Sequence, residues 1–118
     1  MPPKQRDGSF IYDMLDSASS VRTMVAEVPF HGFVQDRKLY RAVEREIEII
    51  GEAANRVSND LKNAHPEVPW DKIVGTRHRL AHEYDEIQLA IIYRIATVHM
   101  SDLIPQLERI LATLPPNE

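Results

Sequence analysis

The chain has 118 residues and 43% hydrophobic side chains, which suits one domain with a packed core. It has no cysteine, which excludes disulfides, thiolate zinc sites and thiol nucleophiles and fits a reducing compartment. A net charge of −4 counts against a free-standing nucleic-acid binder, but leaves room for a small basic site on an acidic body.

The first residues, MPPKQRDGSF, lack the apolar stretch of a secretory signal, and no apolar run approaches ~18 residues. The expectation is a soluble, cytoplasmic chain with no membrane span. No repeat, low-complexity tract or linker divides it. Residues 1–118 therefore read as a single helical domain, frayed at 1–8 and 115–118.

Ser9 suits the cap of a first helix. Phe10, Met14, Ala18, Val21, Val25 and Val28 then recur at helical spacing, and Pro29 ends the run. PFHGF, 29–33, reads as a connection with Gly32 at the turn. The second helix has the clearest pattern. Leu39, Val43, Ile47, Ile50, Ala54, Val57 and Leu61 are spaced 4, 4, 3, 4, 3, 4, a near-heptad seam with Glu44, Arg45, Glu48 and Arg56 off it. Gly51 costs about 1 kcal/mol relative to alanine there, and points to close approach of a neighbouring helix.

Asn63 to Pro69 closes that helix, which the two prolines of HPEVP keep from continuing. PWDKIVG, 69–75, reads as a short helix with Trp70 and Ile73 inward and Gly75 as its stop. Asp85 caps a further helix, with Gln88 as its capping-box partner. Ile87, Ile91, Ile95 and Val98 form that helix's stripe, extended by Leu103, Leu107, Ile110 and Leu111, with a kink or restart at Pro105. No segment alternates with period two. The fold class is all-α: an antiparallel four-helix bundle with an extra short helix before residue 77.

The segment RHRLAHEY, 77–84, concentrates the chemistry. His78 and His82 lie about 40° apart on a helix, close enough to share a metal. The zinc-protease pattern needs Glu after the first histidine; Arg79 stands there, and no third ligand is evident. No metal and no cofactor is therefore expected. Arg77 and His82 suggest phosphate chemistry instead. Histidine can take or give a proton near neutrality, and arginine can hold two phosphate oxygens. RNA carries its own nucleophile, the 2′-hydroxyl. Tyr84 adds a hydroxyl able to bind phosphate or be modified. The same residues also suit a polar helix face paired with Glu83 or Asp85.

Geometry adds a constraint. On one helix Arg77 and Tyr84 lie within about 20°, but Arg77 and His82 about 140° apart. Either the helix ends between Arg77 and His82, or the site draws on two chains. A two-fold dimer would set two copies of the segment face to face. The remaining candidates are weaker. His31, His65 and His99 read as structural or solvent-facing, and Trp70 as a core plug. Glu44, Glu48 and Glu52 lack the Glu-x-x-His partners of a di-metal bundle, and Glu52 is a possible partner for Arg77 or Arg79.

The arrangement R-x4-H-x-Y, here Arg77, His82 and Tyr84, resembles the signature of HepT-like toxins of the HEPN superfamily. EIIGEAANRVS, 48–58, is similar to that family's second-helix segment, and HPEVPWDKIVGTRHRLAHEYDEI, 65–87, to its Pro-Trp stretch and motif. The resemblance implies a helical-bundle ribonuclease that needs no metal and acts as a homodimer with the motifs at the dimer cleft. It implies a toxin of a type II/VII-like toxin–antitoxin pair. The implied partner is a small nucleotidyltransferase antitoxin that transfers AMP to the motif tyrosine. Carried onto this chain, His82 is the acid/base, Arg77 the phosphate ligand and Tyr84 the modification site; from residue type alone, His78, Arg79 and Glu52 are candidates for auxiliary or RNA-binding roles. Three departures stand out: His78 where the family usually has Asn, Gln88 where it often has Asp, and His99-Met100-Ser101 where it often has an acidic-Leu-Pro run. The alternative is a non-catalytic HEPN module that binds nucleotide or protein through the same cleft.

Overall fold

The computed structural model describes residues 3–79 and 85–115, with side chains for 6–76 and 85–115. The chain is an all-α bundle, and no strand occurs among the described residues. Helices α1 (Pro3–Val25), α3 (Arg37–Arg56), α5 (Trp70–Arg79) and the continuous pair α6 (Glu86–Arg94) and α7 (Met100–Thr113) form its body. Short helices α2 (Phe30–Gln35) and α4 (Asn59–Ala64) connect them.

α1 begins at Pro3, so Ser9 lies inside the helix rather than capping it. Proline is at home in a first turn, whose N–H groups have no helical partner. The expected stripe is buried from Met14 to Val25, and Ile11 joins it. α1 stops at Val25, and Glu27 takes the left-handed conformation at φ 63°. PFHGF is helical rather than a simple turn. Its Phe33 is fully buried, with ring centroids 5.2 Å from Tyr93 and 6.2 Å from Tyr40. Burying that ring holds the segment in a helical turn.

α3 is capped by Asp36, whose Oδ1 accepts from the Leu39 N–H at 3.1 Å. The seam is buried at Val43, Ile47, Ile50, Ala54 and Val57. Glu44, expected off the seam, is buried too, as is Gly51. The reason is that α3 packs against both α1 and α5, so its buried face is wider than a two-helix seam. The seam also crosses a break. Val57 is extended, and Ser58 starts α4 by accepting from the Leu61 N–H at 3.2 Å. Asp7 of α1 bonds Ser58, so α1 and α3 run antiparallel.

Trp70 is buried at the start of α5, and its Nε1–H donates to the His65 carbonyl at 3.0 Å. α5 continues through Gly75 instead of stopping there. Asp85 caps α6 as expected, accepting from the Gln88 N–H at 2.8 Å. Pro105 does not restart the last helix; it lies inside α7. The irregularity is a π turn at Ile95–His99. There the Thr97 carbonyl accepts from Arg22 Nη1 at 3.3 Å and from the Ser101 hydroxyl at 3.2 Å.

The stripe expected to point inward on α6 is largely exposed, at Ile87, Ile91 and Val98. The buried face is Leu89, Ile92, Ala96, Met100, Leu103, Leu107 and Ile110. α6 is apolar on two sides, so periodicity alone could not choose between them. For the same reason Glu86–Thr113 is long and apolar enough to cross a membrane, against the expectation of no such segment, although its buried face packs within the bundle.

Candidate active-site groove

The site is built from α5. Trp70 anchors the start of this helix, which packs along α3. Lys72 and Thr76 are one turn apart, and the Thr76 hydroxyl donates to the Lys72 carbonyl at 2.7 Å. Because the helix passes through Gly75, Arg77, His78 and Arg79 fall in its last turn. Positive charge there is favoured by the carbonyl end of the helix dipole.

The side chains of Arg77, His78 and Arg79 lie outside the described residues, as do Leu80 to Tyr84 with His82 and Tyr84. The Arg77–His82 pairing, the His78–His82 pair and a contact of Glu52 with Arg77 or Arg79 therefore also lie outside them. Glu52 itself is exposed on α3. His31 and His99 are exposed, and His65 is half-buried beside Glu67. Among the described residues no three potential ligands converge as a metal site.

Beside the motif helix lies an open groove of about 840 Å³. Its floor is Ile47 and Ile50 of α3; Ile73 and Thr76 line the α5 side, and Ile91 and Arg94 the α6 side. At one end Gln106 Nε2 donates to the Glu67 carbonyl at 3.2 Å, tying α7 to the loop before α5. Toward the motif the lining reaches Gly75 and Thr76, directly before Arg77. Its charges are mixed: Lys72 and Arg94 against Glu67, Asp71 and Asp102. Sequence reasoning missed the groove, because it exists only where α5 and α6–α7 stand apart above α3. Spacing along one helix carries no signal of that.

The profile of the family described as "Ribonuclease HepT-like" matches residues 14–110, which include α5 and the whole of RHRLAHEY. This chain belongs to the HepT-like ribonuclease family. Among its relatives is "Putative RNase MJ1380" of Methanocaldococcus jannaschii, 36% identical over 87 residues, 74% of this chain and 80% of that one. Another is "Probable ribonuclease HepT" of Thermococcus cleftensis, 28% identical over 107 residues, 91% of this chain and 97% of that one. No solved structure matches. In this HepT-like chain, α5 thus carries the arginine of the R-x4-H pattern in its last turn, beside the groove.

Proposed function

We propose that this HepT-like protein is a metal-independent endoribonuclease, the toxin of a type II/VII-like toxin–antitoxin pair in the cytoplasm. The observation that carries the reading is the family match over residues 14–110, with Arg77 in the last turn of α5 at the groove's edge. His82 removes the proton from a ribose 2′-hydroxyl. The 2′-oxygen forms a bond to phosphorus as the bond to the 5′-oxygen breaks, and that leaving oxygen takes a proton from His82 in return. Arg77 holds the phosphate oxygens as their charge grows. No redox change and no bound cofactor is needed.

A homodimer assembles the site, which meets the angular mismatch of Arg77 and His82 on a single helix. The exposed isoleucines of α6, the helix that follows the motif, support this part of the reading. A nucleotidyltransferase antitoxin silences the toxin by transferring AMP from ATP to the Tyr84 hydroxyl, releasing pyrophosphate.

The deciding experiment incubates purified protein with RNA in excess chelator, beside His82→Ala. Cleavage that survives chelation and disappears in the variant supports the reading. Absence of cleavage by unmodified wild-type protein overturns it, in favour of a binding module.

A further inference from the structure

Four charged side chains line the groove beside α5 without neutralising one another. Lys72 and Arg94 form no ion pair among the described residues, and neither do Asp71 and Asp102. All four are exposed. Beneath them the floor is apolar, built from Ile47, Ile50 and Ile73.

The fold orders these charges along the groove. Gln106 of α7 bonds the Glu67 carbonyl, before α5 begins. Residues 80–84 alone separate the end of α5 from Asp85, the cap of α6. α5 therefore runs toward the motif, and α6–α7 returns away from it. Lys72 stands five residues before Arg77, about 7.5 Å along the helix axis. Arg94, the last residue of α6, stands on the other wall. Asp71 and Asp102 lie beyond these two cations, further from the motif.

A ligand that suits this order has an anionic group, a flat apolar body and paired hydrogen-bond donors. A nucleotide has all three. Lysine and arginine hold phosphate, and aliphatic side chains pack on the face of an unstacked base. An ionised carboxylate only accepts hydrogen bonds. It therefore favours a base edge with two adjacent donors. Guanine presents one, N1–H beside the N2 amino group. Adenine and cytosine place a bare ring nitrogen beside their amino group, and uracil flanks its N–H with two carbonyls. Each of these three turns an acceptor toward the carboxylate.

We propose that the groove between α5 and α6–α7 holds a nucleotide flanking the phosphate bound by Arg77, with Lys72 and Arg94 on its phosphate and Asp71 and Asp102 selecting guanine through N1–H and the N2 amino group. This rests on the ribonuclease reading above and adds the base that the enzyme selects.

The test compares short RNAs that are all uridine except for a single guanine, adenine or cytosine. Cleavage of each is measured beside the affinity of its 2′-O-methyl form, whose blocked nucleophile separates binding from chemistry. Wild type is expected to bind and cleave the guanine sequence about tenfold better than the others. Asp71→Asn/Asp102→Asn removes that preference, because an amide replaces one acceptor by a donor. Lys72→Gln/Arg94→Gln weakens binding of every sequence by a similar factor and flattens its dependence on salt. Circular dichroism confirms that these variants, all at exposed positions, stay folded. Equal affinity for all sequences, or for none, overturns this inference even where cleavage upholds the ribonuclease reading. A guanine preference that survives in the aspartate variant also overturns it. So does an affinity indifferent to Lys72 and Arg94, which leaves the groove to a protein partner. Guanine-dependent binding that the aspartate variant loses, without cleavage by wild type, supports the subsite and overturns the ribonuclease reading.

Discussion

Both carboxylate oxygens of Asp7 are held by Ser58: Oδ1 accepts from the Ser58 backbone N–H at 2.8 Å, and Oδ2 from its hydroxyl at 2.6 Å. The two residues are 51 positions apart, and Asp7 is buried. Ser58 in turn caps α4, so one side chain on α1 holds the break between α3 and α4. Asp7→Ala leaves two donors without their partner and is expected to cost about 3 kcal/mol in chemical denaturation. Asp7→Asn keeps an acceptor for one donor and should lose about half as much.

Gly75 lies inside α5, and a Cβ built on it meets nothing within 4 Å. Gly75→Ala should therefore stabilise the protein by about 0.5–1 kcal/mol, because alanine costs less backbone entropy in a helix. A rise in melting temperature checks this; a fall would mean that the glycine is needed for a close approach.

Glu27 holds φ at 63°, a conformation that costs a residue with a Cβ about 1–2 kcal/mol. Glu27→Gly relieves that strain, at the expense of a more flexible unfolded chain. The net expectation is a gain of about 0.5–1 kcal/mol in urea denaturation, with no change in RNA cleavage.

The two halves of the motif separate by kinetics and mass. Arg77→Lys keeps the charge but loses the two-pronged grip on phosphate, and should reduce kcat by about 10²-fold or more. Tyr84→Phe should retain cleavage yet gain no AMP-sized mass when co-expressed with the nucleotidyltransferase. An AMP adduct on Tyr84→Phe would place the modification elsewhere.

Much of the bundle was legible in the sequence where one face of a helix decides its packing. The α3 seam from Val43 to Val57 and the Asp85 cap follow from spacing and residue type alone. Legibility fails where a residue's neighbours come from elsewhere in the chain. Glu44 is buried because α3 meets two helices, and Phe33 turns its loop helical because Tyr93 and Tyr40 wait for it. The isoleucines of α6 read as core because an exposed apolar face looks the same in sequence as one buried in the fold. At the site, the residue types of Arg77 and His82 suggested phosphate chemistry, but residue type alone does not separate a catalytic pair from a salt-bridged surface. The groove beside α5 is a matter of helix separation.

α1 packs on α3 and also on α7, and Arg22 reaches the Thr97 carbonyl 75 residues further along the chain. During synthesis α1 and α3 can pair early, but the second face of α1 lacks its α7 mate until α7 leaves the ribosome. Met14, Ala18 and Val21 belong to a core that is completed only once α7 has been made. A chain that stalls before α7 therefore presents bare apolar surface to chaperones and proteases, which favours removal of unfinished copies.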